Sequence, residues 1–127
     1  MKLNHIGICC NQIDLFLEQF RNTIGVNSVH EVIMPEKGQR SCYVRFGEKE
    51  DCLELMEPTG EGTVKKFLEK HGEGIHHLSF KVDDLHAATE AFEKAGARII
   101  GRESGIAFVH PKGNFGILFE LVEDKKE

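Results

Sequence analysis

One pattern occurs twice in this chain, and the duplication limits the fold more than any other feature. Asn4-His5-Ile6-Gly7-Ile8 faces His76-His77-Leu78-Ser79-Phe80 at an offset of 72 residues (His5 to His77), and Glu18 and Phe20 face Glu90 and Phe92 in step. Leu53-Glu54-Leu55-Met56-Glu57 then matches Phe119-Glu120-Leu121-Val122-Glu123 at an offset of 66 (Glu54 to Glu120). The changed offset places a shorter connection in the second half, around Gly101–Gly105. Self-similarity on this scale is the mark of one supersecondary unit used repeatedly.

Each copy reads as a strand, a helix and three strands. In the first copy, Leu3–Cys10 is β-branched and apolar, which suits a strand. Asn11 is placed to cap a helix, with Asp14 three residues on as in a capping box. Ile13, Phe16, Leu17, Phe20 and Ile24 follow at helical spacing, and Gly25 ends the run. Val29–Met34, Arg40–Phe46 and Cys52–Met56 supply three strands, with turns at Pro35–Gly38 and Gly47–Glu50. The second copy runs through a strand at Ile75–Val82 and an Asp83-Asp84 cap. Its helix stripe is Leu85, Ala88, Ala91, Phe92 and Ala95, stopped by Gly96. Arg98–Gly101, Ile106–Val109 and Gly116–Val122 complete it. The expected fold class is α+β: two tandem βαβββ modules forming one curved sheet, with helices on the outer face.

The 127 residues fit a single domain, 1–127, with repeat halves at about 1–58 and 74–123 and a linking helix at about 63–71. Gly60 and Gly62 before that helix read as a turn in preference to a phosphate loop. A formal charge of −5 with scattered basic residues argues against a nucleic-acid platform. No apolar run approaches the roughly 18–20 residues of a membrane span, and the first residues lack a signal-peptide core. Cys9, Cys10, Cys42 and Cys52 form no C-x-x-C pair and read as free thiols of a cytoplasmic protein.

Alternation along the strands selects the residues that carry chemistry. If Ile6 and Ile8 pack under a helix, His5 points to the opposite face. The same parity isolates His77 from Leu78 and Phe80, Glu54 from Leu53 and Leu55, and Glu120 from Phe119 and Leu121. Two imidazoles and two carboxylates, related by the repeat, suit a borderline divalent metal such as Co, Ni, Zn, Mn or Fe. A carboxylate buried without a partner is costly, so the set makes most sense around a cation. His76 competes with His77 for the ligand role. Its repeat partner is Asn4, which favours His77 and leaves His76 to packing or support.

These residues resemble the vicinal oxygen chelate superfamily, which includes glyoxalase I. The resemblance narrows to methylmalonyl-CoA epimerase through Leu53–Pro58, Lys66–Lys70, Phe108-Val109-His110-Pro111-Lys112 and Gly116–Val122, and it covers roughly residues 2–123. It implies His5, Glu54, His77 and Glu120 as metal ligands, Glu120 as the catalytic proton carrier, an acyl-CoA substrate and a homodimer. Some members place a second carboxylate on the strand equivalent to Arg40–Phe46; here the matching position is Ser41. The phosphates of CoA call for cations, for which Lys112, Arg40 and Lys81 are candidates on charge, Lys112 foremost. Two other functions stay open: a glyoxalase I-type lyase acting on a thiol hemithioacetal, and a non-catalytic small-molecule binding protein. An extradiol dioxygenase, which needs one carboxylate and two histidines, fits less well because of Glu54.

Overall fold

A computed structural model describes residues 1–47, 51–103 and 105–125. The turn expected at Glu48-Lys49-Glu50, and Ser104 of the short connection, fall outside the described residues. The fold is α+β, as expected, with eight strands and three α-helices among the described residues. These are β1 (Lys2–Cys9), α1 (Ile13–Asn22), β2 (Ser28–Met34), β3 (Gln39–Arg45), β4 (Cys52–Pro58) and α2 (Thr63–His71). There follow β5 (Gly74–Val82), α3 (Leu85–Lys94), β6 (Ile99–Glu103), β7 (Ile106–Val109) and β8 (Phe119–Glu123).

The chain divides into two compact units, one of residues 5–76 and one of residues 77–127 together with Met1–Asn4. In the first, the strands lie in the order β2-β3-β4-β1, with β1 parallel to β4 and the others antiparallel. The second repeats that order as β6-β7-β8-β5, with β5 parallel to β8. The βαβββ repeat is thus a repeat of topology as well as of sequence.

Each unit buries the helix face of its sheet. In the first, Ile13 and Leu17 of α1 pack on Cys10, Cys42, Val44 and Leu55, with Ile8 and Leu53 alongside. In the second, Val82, Val109 and Leu121 pack with Leu85, Ala88 and Phe92 of α3. On the other face of the first sheet, Cys9 and Met56 lie under Val64, Phe67 and Leu68 of α2. Gly62, just before α2, is required by close approach: a Cβ there would stand 2.2 Å from the Lys37 carbonyl oxygen.

Several local expectations are corrected. Gln12, not Asn11, is the N-cap of α1, and it makes no side-chain cap bond. The Ile13 N–H instead donates to Glu57 Oε1 at 2.9 Å, from the end of β4. The second unit repeats the device: the Leu85 N–H donates to Glu123 Oε1 at 3.2 Å, from the end of β8. There the expected Asp84 cap also forms, accepting from the Ala87 N–H at 3.0 Å. The second acid of each duplicated Glu-Leu segment therefore holds a helix N-terminus, where negative charge is favoured. Ile24 lies beyond the end of α1 and is exposed.

Strand β8 starts at Phe119 and not at Gly116. The Asn114 and Gly116 N–H groups both bond the Pro111 carbonyl, and Asn114 Nδ2 donates to the Ile117 carbonyl, so the chain is still turning. Replacing Glu57 by Ala is expected to lower stability by about 1–2 kcal/mol in chemical denaturation, the scale of a lost cap. Glu57→Gln, which keeps an acceptor oxygen, is expected to lose less.

Candidate metal centre

The alternation inferred from sequence is present in both units. With Leu53 and Leu55 packed under α1, Glu54 emerges on the opposite face of β4. His5 and Glu54 are both buried, at 6% exposure each, and His5 Nε2 stands 3.2 Å from Glu54 Oε1. Two donors on one cation, with bonds of about 2.1 Å at right angles, lie about 3 Å apart. The pair has the chemistry and the spacing of two neighbouring ligands.

Tyr43, which the sequence reading did not select, completes this group. It sits directly opposite Glu54 in the β3–β4 register. Its hydroxyl donates to Glu54 Oε2 at 3.2 Å, and its ring meets the His5 ring edge-on at 5.6 Å between centroids. The available signal was parity: Cys42 and Val44 belong to the helix-side core, which turns Tyr43 to the ligand side.

The second unit carries the matching pair. His77 is 5% exposed, and Ser79, two residues along the same face, is fully buried. A His77 ring nitrogen and a Glu120 carboxylate oxygen lie within 4.8 Å of one another. Ser79 stands opposite Glu120 in the β5–β8 register and donates from Oγ to Glu120 Oε1 at 2.7 Å. Asn4 Nδ2 donates in turn to Ser79 Oγ at 3.1 Å. Once the hydroxyl accepts from Asn4, its own proton is left for the carboxylate. Asn4 and Ser79 both lie in the duplicated segment, but their contact joins β1 to β5, an alignment that the sequence of neither strand states. Each unit thus holds a His/Glu pair that fits a divalent metal.

The remaining candidates separate cleanly. His76 turns away from the His77 face and packs edge-on against Phe67 of α2, at 5.0 Å. His110 Nδ1 accepts from the Lys112 N–H at 2.9 Å, which makes it a loop residue. Lys112 lies exposed in the loop between β7 and β8. Arg40 is not placed for a phosphate. It lies on the α1 side of β3, where Glu31 holds its guanidinium firmly charged and Asp14 and Glu57 stand at 3.4 and 3.5 Å. Lys81 follows Ser79 on the ligand face of β5 and is half-buried.

None of the thiols is activated. All four cysteines are free and buried. Burial, then the Glu54 charge, pushes the Cys9 thiol up to about 12; burial, then Glu57, does the same to Cys10. Cys42 and Cys52 are also raised, chiefly by burial. Unfolded thiols ionise at about 8.5, so between that pH and about 12 Cys9 and Cys10 carry thiolates only in the unfolded chain. Native protein at about pH 9 is expected to resist alkylation, whereas denatured protein takes up four equivalents.

With two βαβββ modules and a His/Glu pair on the sheet of each, the chain belongs to the Glyoxalase/Bleomycin resistance protein/Dioxygenase superfamily, whose family model matches residues 4–114. Within it, the chain is similar to methylmalonyl-CoA epimerases. It is 32% identical to the ethylmalonyl-CoA/methylmalonyl-CoA epimerase of Cereibacter sphaeroides, over 94% of this chain and 96% of that one. A structure of Streptomyces coelicolor methylmalonyl-CoA epimerase in complex with 2-nitronate-propionyl-CoA superposes with a TM-score of 0.83. That chain is 33% identical, and 99% of each chain is covered. A lactoylglutathione lyase from Neisseria meningitidis is more distant, at 24% identity over 94% of this chain and 89% of that one. No helix among the described residues is long and apolar enough to cross a membrane.

Proposed function

We propose that this protein is a metal-dependent isomerase that interconverts the stereoisomers of methylmalonyl-CoA or a closely similar 2-branched acyl-CoA. The observation that carries this reading is the full-length likeness to methylmalonyl-CoA epimerases, one of them holding an acyl-CoA analogue. Two His/Glu pairs, one in each unit, support it. Much weaker likeness to a lactoylglutathione lyase leaves the glyoxalase reading second.

In this reading His5, Glu54, His77 and Glu120 hold one divalent cation, such as Co, Ni, Zn or Mn, within a single domain. Their repeat symmetry and mixed N/O donor chemistry support the set. A cation held there supplies Lewis acidity toward the oxygens that flank the reacting carbon. The protein's own residues do the rest. Glu120 takes the proton from the carbon between thioester and carboxylate, and the other stereoisomer forms when the flattened carbon turns over and the same carboxylate returns a proton to its opposite face. Ser79, donating to Oε1, holds the carboxylate in place for proton transfer. Ser41, buried and accepting from Gln39 Nε2, stands where a second carboxylate would be needed, so Glu120 is the one proton carrier assigned. Lys112, exposed beside the sheet end that bears Glu120, is assigned to the CoA phosphates. Four unpaired thiols support a cytoplasmic setting, and the resemblance to the epimerases supports a homodimer.

The test is direct competition between the two chemistries. Metal-loaded protein is expected to epimerise methylmalonyl-CoA and to leave the hemithioacetal of methylglyoxal and glutathione unchanged. Turnover of the hemithioacetal alone would reverse the assignment.

A further inference from the structure

We propose that Tyr43 is a positioning residue for the metal centre: it holds Glu54 as a ligand through one oxygen only and orients His5 at the same time. The inference rests on His5 and Glu54 being ligands.

Three contacts within one unit carry it. The Tyr43 hydroxyl donates to Glu54 Oε2 at 3.2 Å, while the other oxygen, Oε1, is the one that faces His5 Nε2 at 3.2 Å. The carboxylate is thereby divided: Oε2 is engaged by a phenol, and Oε1 is turned toward the His5 imidazole. The Tyr43 ring also meets the His5 ring edge-on, which limits rotation of the imidazole. Finally, the β3–β4 ladder sets Tyr43 directly opposite Glu54, so the phenol is anchored by backbone register and not by a mobile loop. A group that hydrogen-bonds a ligating carboxylate or restrains a ligating imidazole typically contributes about 10- to 100-fold in metal affinity. Tyr43 does both.

Replacing Tyr43 by Phe removes the hydroxyl and keeps the ring. Cobalt(II) is the probe, with affinity measured by competition against a chelator and the ligand field read from the visible absorption of the loaded protein. Tyr43→Phe is expected to bind Co(II) about 10- to 100-fold more weakly, with an altered visible spectrum, while thermal unfolding of the metal-free protein stays unchanged. In a Glu54→Ala background, Tyr43→Phe is expected to have no further effect on affinity, because the hydroxyl acts through that carboxylate. The inference is overturned if Tyr43→Phe binds Co(II) within twofold of the unsubstituted protein with the same spectrum. An undiminished effect of Tyr43→Phe in the Glu54→Ala background would overturn it too. Failure of the unsubstituted protein to take up Co(II) would instead remove the ligand assignment itself, and Tyr43's role with it.

Discussion

Glu120→Gln is expected to lower the rate of methylmalonyl-CoA epimerisation by about 10²- to 10⁴-fold, the range lost when a positioned acid–base group is removed. Gln keeps the length of the side chain and one carbonyl oxygen able to ligate, but it cannot accept and return a proton. The substitution therefore separates the two roles assigned to Glu120. Its amide oxygen still accepts from Ser79, whose hydroxyl stands 2.7 Å from Glu120 Oε1, so side-chain position is retained. Metal content measured alongside the rate is expected to fall far less than turnover does. A rate within tenfold of the unsubstituted enzyme would move the proton transfer to another residue.

His77→Ala is expected to have the second largest effect, and it falls on metal binding. His77 is 5% exposed and has a ring nitrogen within 4.8 Å of a Glu120 oxygen. Loss of a ligand should exceed the roughly 100-fold upper range for groups that only support ligands. His77→Ala is accordingly expected to release the ion on dialysis and to be inactive as isolated. His76→Ala is the matched comparison. That ring packs on Phe67 at 5.0 Å, so its removal should lower stability and leave affinity within tenfold. Equal losses of metal in the two variants would contradict the assignment, because adjacent strand residues face opposite ways.

Much of this architecture is legible in the sequence because the duplication carries information twice. His5 and His77, or Glu54 and Glu120, are individually ordinary strand residues. Their recurrence at matching positions, each between apolar neighbours, fixes parity and hence the face on which each emerges. Parity is local, and local rules suffice for it.

Features that depend on long-range register were hidden. Asn11 has the side chain of a cap, yet α1 is held by Glu57 from a strand 44 residues away. Nothing near Ile13 announces that. Arg40 looks like a free cation until β3 pairs with β2 and β4, which brings Glu31 and Glu57 to it. Tyr43 and Ser79 gain their roles from the residue directly opposite on the neighbouring strand, and the sequence of one strand does not state that alignment. The late start of β8 has a similar cause: Gly116–Leu118 is apolar enough for a strand, but the Asn114 side chain closes a turn onto Ile117.

Whether this protein moves a proton at the carbon between a thioester and a carboxylate is read from deuterium incorporation into methylmalonyl-CoA in D₂O, followed by mass spectrometry with the metal-loaded protein and with Glu120→Gln. The metal-loaded protein is expected to exchange at C2 well above the uncatalysed rate, and Glu120→Gln is expected to lose nearly all of that exchange. Absence of exchange by the metal-loaded protein would rule out proton transfer at C2, and exchange undiminished in Glu120→Gln would rule out Glu120 as its carrier.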